Sequence, residues 1–157
     1  MKNFLLFVMA MIISFVPGIF GVFFTPRNSG DLWYNTLEKS VLTPDGWVFG
    51  VVWTVLYALL GIALFLLMKS GKSRQSKTTA YFLFTSQLFL NLLWSYLFFG
   101  VQQIAAAVLV LVMLIGISIW MAKAFRVFSK SASYMVWPYI IWMCFALYLN
   151  GTILVLN

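Results

Sequence analysis

Gln87-Leu88-Phe89-Leu90-Asn91-Leu92-Leu93-Trp94-Ser95-Tyr96-Leu97-Phe98-Phe99 lies near the middle of the third of five long apolar runs in a chain of 157 residues. Its polar groups are few and regularly spaced. Gln87, Asn91, Ser95 and Phe98 recur at helical intervals with Trp94 beside them, so a helix here carries an amide, hydroxyl and aromatic stripe on an otherwise apolar cylinder. In hydrocarbon no water is available to satisfy such a stripe, which therefore has to face protein or a cavity.

The composition around this stretch defines the solvent. Hydrophobic residues make up 64% of the chain and charged residues 8%, with a mean hydropathy of +1.01, far from the balance of a water-soluble domain. The apolar runs fall at about 4–24, 46–68, 79–99, 104–122 and 134–156. Each is close to the roughly 20 residues a helix needs to cross about 30 Å of hydrocarbon, and none has the short alternating pattern of a membrane barrel. The expected fold class is all-α: an integral membrane bundle of five transmembrane helices in a single domain, with one long loop at 25–45. The first run is longer than the apolar core of a secretory signal and has no convincing small-x-small cleavage site after it, so it reads as a retained helix.

Charge sets the expected orientation. The net charge of +7 would suggest nucleic acid in a soluble protein, but here the cations sit between the apolar runs. With five spans, Lys2, the loop with Lys69, Lys72, Arg74 and Lys77, and the loop with Lys123, Arg126 and Lys130 share one side, leaving Arg27 and Lys39 on the other. The positive-inside rule then places the N-terminus in the cytoplasm and the first loop and C-terminus outside. Nucleic acid is not an expected partner; the lipid bilayer is, and the basic loops suit anionic headgroups.

Some chemistry is excluded by inventory. The chain has no histidine, its acids are Asp31, Glu38 and Asp45, and its one cysteine, Cys144, falls inside an apolar run and reads as a small buried hydrophobe. No metal cage or carboxylate pair can be assembled from these within the membrane.

The remaining runs supply companions to the opening stripe. Trp53, Tyr57 and Gly61 step by four along the second run, with Trp53 about two turns below the outer loop, deep for an interfacial tryptophan. Trp142, Phe145, Ala146, Leu149 and Asn150 fall at i, i+3, i+4, i+7 and i+8 on the fifth, where Pro138 is expected in the first helical turn. Pro17, Gly18 and Gly21 of the first run allow a kink and close helix approach. The fourth run, with small residues and no polar stripe, reads as structural or as a subunit contact. In the long loop, Asp31 is a candidate N-cap for a short helix before Pro44, with Leu32, Trp33 and Leu37 packing downward. Flat aromatic walls carrying a few hydrogen-bonding groups suit a flat, largely apolar ligand, although plain helix packing accounts for each face taken singly.

These same residues carry a resemblance. Trp33-Tyr34 with Leu37-Glu38-Lys39, Pro44, Gly50-Val51-Val52-Trp53-Thr54-Val55-Leu56-Tyr57, Asn91-Leu92-Leu93-Trp94-Ser95 and Pro138-Tyr139 through Leu147-Tyr148-Leu149-Asn150 resemble the translocator protein (TspO/MBR) family of tryptophan-rich sensory proteins across nearly the whole chain. The resemblance implies a bacterial cell-membrane protein, often a homodimer, whose outer loop covers a pocket that binds protoporphyrin IX, haem and benzodiazepine-type ligands. It also implies the ligand-binding set: Trp33, Tyr34, Trp53, Tyr57, Asn91, Trp94, Ser95, Trp142, Phe145, Ala146 and Asn150. The chain departs from the family pattern where Lys39-Ser40 and Pro44-Asp45 replace Lys-Pro and Pro-Pro. After Asn150 it also lacks the tyrosine and cation of the proposed cholesterol motif, which disfavours cholesterol.

Three functions compete at this level. The first is a binding and sensory protein that stacks a tetrapyrrole between Trp53, Trp94 and Trp142 under the loop. It requires no cofactor, and the lack of histidine suits a metal-free porphyrin better than ligated haem. The second, implied by the resemblance, is an enzyme that degrades porphyrin in light, with Trp53 and Trp142 as its catalytic residues. The third is transport, which ranks lowest because the sequence shows no inverted repeat and no paired broken helices.

Overall fold

The computed structural model describes residues 1–25, 32–71 and 77–157, the side chain of Leu32 excepted. The described residues form helices and connecting turns, with no strand among them. Five helices are long and apolar enough to cross a membrane: α1 (Lys2–Gly21), α3 (Gly46–Lys69), α4 (Thr78–Ser95, continued by a π-helical turn over Tyr96–Gly100), α5 (Ile104–Arg126) and α6 (Lys130–Leu156). A short helix, α2 (Leu32–Thr36), lies in the first loop. The expected candidate cap Asp31 and the packing of Leu32 lie outside the described residues.

The helices close into a ring. α1 packs on α3 and α4, α3 on α6, α6 on α5, and α5 on α4, so the spatial order is α1, α3, α6, α5, α4. Glycine sets the closeness of α1. A Cβ on Gly18 would lie 2.7 Å from the Tyr57 ring, and one on Gly61 would lie 2.5 Å from Met11 Sδ and 3.3 Å from the Met11 backbone. Such small-residue contacts replace the hydrophobic driving force that helices lack in lipid. The outward faces carry large apolar side chains such as Phe4, Phe82, Phe89, Leu109 and Ile141, as lipid contact requires.

Two expectations on α6 are corrected. The helix starts a turn earlier than 134, because the Ser129 hydroxyl accepts from the Ala132 N–H at 3.2 Å and caps it; Pro138 therefore sits in the helix interior and not in a first turn. Cys144 is exposed on the outer face of α6, since the inward stripe passes through Met143 and Ala146 on either side of it.

At the end of α4 the π-helical turn re-aims the aromatic residues. Val101 N–H donates to Tyr96 O at 2.9 Å, five residues back, and Phe98 swings fully inward, 2% exposed. Gln102, with φ 58°, reverses the chain into α5. At the opposite end Lys77 Nζ donates to Met68 O at 3.2 Å and Ser70 O at 2.7 Å, satisfying carbonyls that the end of α3 leaves open.

Candidate functional site

Asn91 occupies the centre of the ring. It is 2% exposed; its Oδ1 accepts from the Tyr57 hydroxyl of α3 at 2.9 Å, and its Nδ2 donates to the Tyr139 hydroxyl of α6 at 3.0 Å. One amide thereby ties three helices together. Trp53 rests on both tyrosines, stacked on Tyr57 at 5.2 Å between centroids and edge-on to Tyr139 at 6.3 Å. Tyr57 and Asn91 therefore act from behind the indole, as the fixed floor beneath it. Tyr139, missed as a site residue, shows in the sequence as a phenol in an apolar run that needs a partner.

An aromatic stack rises from this floor toward the first loop. Trp53 stacks on Trp94 at 6.5 Å and 29°, and Trp94 on Phe98 at 5.6 Å and 16°. The Trp94 indole N–H donates to Asn150 Oδ1 at 3.2 Å, while Asn150 Nδ2 donates to Ala146 O at 2.9 Å, so α6 fixes the ring plane through two predicted residues. Ser95 is spent within its helix, donating to Asn91 O at 3.5 Å, and its hydroxyl is the nearest group to a Cβ built on Gly21.

The loop seats on the top of the stack. Trp33 meets Phe98 edge-on at 5.6 Å, and Tyr34 meets Phe98 at 6.2 Å and Phe99 at 5.7 Å. Trp33, Tyr34 and Leu37 pack over Phe98, Ala107 and Ile153, in agreement with the expected downward packing of Trp33 and Leu37. Lys39 Nζ donates to Tyr34 O at 2.6 Å and Leu37 O at 3.1 Å and lies 4.5 Å from the Tyr34 ring centroid, which closes off the turn after α2. The loop is pinned to the end of α6: Glu38 N–H donates to Asn157 Oδ1 at 3.0 Å, Asn157 Nδ2 donates to Glu38 O at 3.1 Å, and the Ser40 and Tyr148 hydroxyls share a hydrogen bond of 3.0 Å. Burial raises the pKa of the Tyr34 phenol above its ordinary value, so its hydroxyl is neutral at physiological pH.

Trp142 stands apart from the stack. It contacts Phe49, one turn before Trp53, at 5.8 Å and Phe145 at 5.4 Å, and Phe145 in turn stacks on Tyr148 at 6.4 Å. Its indole nitrogen is buried with no hydrogen-bond partner among the described residues. The expected arrangement stacks a pigment between Trp53, Trp94 and Trp142, and distance bears on the first two of these rings. A flat ring needs about 3.5 Å on each side, roughly 7 Å between flanking planes, and these two indoles stand 6.5 Å apart in mutual contact. The available aromatic surface is the partly exposed remainder of Trp33, Tyr34, Trp53, Trp94, Trp142 and Phe145, in contrast to the closed leucines Leu56, Leu60 and Leu149 of the same helices.

Five membrane helices, three of them tied through a central amide, with a tryptophan wall beneath a pinned loop, define the class: a polytopic membrane protein with an aromatic site between its helices. The TspO/MBR family pattern matches residues 8–156, and the chain belongs to that family. It is 37% identical over 155 residues to a tryptophan-rich protein TspO of Archaeoglobus fulgidus, covering 99% of each chain. It is 39% identical over 140 residues to that of Chlorobaculum tepidum, covering 89% of this chain and 88% of the relative. A tryptophan-rich sensory protein of Cereibacter sphaeroides is 32% identical over 130 residues, covering 81% of this chain and 78% of the relative.

Proposed function

We propose that the chain is a tetrapyrrole-binding sensory protein of the cell membrane, which takes protoporphyrin IX or haem, and benzodiazepine-type ligands, into a site walled by Trp53, Trp94, Trp142 and Phe145 under the loop bearing Trp33 and Tyr34. The observation that carries this reading is the continuous stack from Trp53 through Trp94 and Phe98 to the loop rings, which couples the wall to its cover. A flat ligand lies against this stack, and each aromatic contact contributes about 0.5–1.5 kcal/mol beyond burial. The unmet Trp142 N–H supplies a donor for a ligand oxygen. Seating the ligand shifts Phe98 and with it the loop, the physical event a partner would sense. The protein works as a homodimer, with its N-terminus in the cytoplasm and its first loop and C-terminus outside; the pinning of Glu38 to Asn157 supports placing those two on one side.

A second reading, light-driven porphyrin breakdown, is favoured by the surroundings of Trp53, whose indole contacts two tyrosines and a tryptophan through which an electron hole could pass. Titrating the purified protein with protoporphyrin IX in dark and light separates the two. A saturable shift of the absorption band in the dark is expected. An unchanged spectrum on mixing sinks both readings, and a bound spectrum stable under illumination sinks the enzyme.

A further inference from the structure

Gln87 is the least explained residue of the bundle. It is 0% exposed, and neither its Nε2 nor its Oε1 has a hydrogen-bond partner among the described residues. It lies nine residues into α4, about 14 Å along the helix at 1.5 Å per residue, near the middle of the membrane. An amide buried with both ends unmet is unfavourable, and more so where no solvent can reach it. The buried serine hydroxyls of Ser14 and Ser118, by contrast, are satisfied by their own helices, Ser14 on Ala10 O at 2.8 Å and Ser118 on Leu114 O at 2.7 Å.

A complementary unmet group belongs to the residue that Asn91, one turn from Gln87, holds. The Tyr139 hydroxyl accepts from Asn91 Nδ2, but its own proton reaches no acceptor among the described residues, whereas Tyr57 spends its proton on Asn91 Oδ1. Asn91 is one turn from Gln87, and residues four apart on a helix stand about 6 Å apart at Cβ. The Tyr139 oxygen is held 3.0 Å from Asn91 Nδ2, on the residue one turn from Gln87 along the same buried face of α4, so water bridging along that face would join the two unmet groups.

We infer that Gln87 and Tyr139 bind a buried water, alone or as a pair, which accepts the Tyr139 proton and donates to Gln87 Oε1, with Gln87 Nε2 donating to the same site. Buried waters characteristically make about three such bonds to groups otherwise unsatisfied. The site extends the Tyr57–Asn91–Tyr139 relay by one turn and holds in place the two rings on which Trp53 rests. It is independent of whether a tetrapyrrole binds.

The test is water-edited solid-state NMR on the full chain in lipid bilayers, with glutamine side-chain and leucine backbone nitrogens labelled, Gln87 assigned by its loss in Gln87→Met and Leu83 by its loss in Leu83→Met. Magnetisation is expected to pass from water to the Gln87 amide at least threefold faster than to buried Leu83 of the same helix, and to fall at least threefold in Tyr139→Phe, which keeps the ring. Transfer to Gln87 no faster than to Leu83 in the unaltered protein overturns the inference whatever the variants do. Transfer that Tyr139→Phe leaves unchanged overturns it as well.

Discussion

Tyr57 gives its phenolic proton to Asn91 Oδ1 at 2.9 Å, and Asn91 gives one of its own to Tyr139 at 3.0 Å, so two tyrosines from the neighbouring helices α3 and α6 are held by one amide of α4 across the ring. Interhelical hydrogen bonds in membranes contribute about 0.6 kcal/mol on average and up to about 1.7. Asn91→Leu removes two and strands both hydroxyls. It is expected to lower stability by about 1–3 kcal/mol and to weaken protoporphyrin binding only through movement of Trp53. Thermal unfolding in detergent, with near-ultraviolet circular dichroism following the aromatic packing, checks the first. Unfolding unchanged from the parent would remove Asn91 from the core relay.

Gly18 and Gly116 form a matched pair of tests. A methyl at Gly18 would stand 2.7 Å from the Tyr57 ring, which is held by its bond to Asn91 and by Trp53, while a methyl at Gly116 meets nothing within 4 Å. Gly18→Ala is expected to destabilise by about 1–3 kcal/mol through overpacking, and Gly116→Ala to be near neutral. Equal unfolding midpoints for the two would mean that α1 is free to move away from Tyr57.

Trp94→Phe removes the bond to Asn150 and part of the stack. Binding of protoporphyrin IX, followed by quenching of protein fluorescence, is expected to weaken about threefold to tenfold, the equivalent of one aromatic contact. Trp142→Phe removes one donor to the ligand and is expected to keep dark binding within about twofold to tenfold of the parent while abolishing light-driven spectral change. Persistence of that change would assign the photochemistry elsewhere.

Asn157→Ala removes both hydrogen bonds that pin Glu38. Each is worth about 0.5–1.5 kcal/mol, so amide exchange at Glu38 is expected to accelerate about fivefold or more, with the amides of α3 unaffected. The same variant should release ligand faster. Unaltered exchange at Glu38 would show that the Ser40–Tyr148 bond and the Trp33 contact hold the loop without Asn157.

Burial raises the Tyr34 pKa, which means the seated loop favours the neutral phenol. Its contribution to loop seating is fully present below the ordinary value near 10 and is lost as pH rises through the raised folded value. The difference in tyrosinate absorbance between the parent and Tyr34→Phe should therefore titrate above 10. A difference curve centred at or below 10 would place Tyr34 in water.

Membrane character and helix count were legible because the bilayer acts on average hydropathy over about 20 residues, which a linear reading can sum. The stripe of Gln87, Asn91, Ser95 and Phe98 was legible as inward for the same reason, and all four are buried. Helix ends were less so. The Ser129 cap that places Pro138 inside α6 depends on a single side-chain bond, and Cys144 faces outward because of a rotation of the helix that composition does not specify.

Which polar groups meet was decided by tertiary structure alone. Asn91 and Trp94 are three residues apart, yet one is consumed by tyrosines of two other helices and the other is aimed by Asn150. Asn157 reaches Glu38 across 119 positions of sequence. The sequence by itself determined that five apolar helices carry three aromatic faces, two of them bearing an amide, that must be turned from lipid, since hydrocarbon satisfies no hydrogen bond. Only the ring order of the helices decided that Tyr57, Asn91 and Tyr139 form the floor, that Trp53, Trp94 and Phe98 form the wall, and that Trp142 stands aside with its N–H unmet. Hydrogen bonds and ring stacking act over a few ångströms, a scale set by packing and not by spacing along the chain.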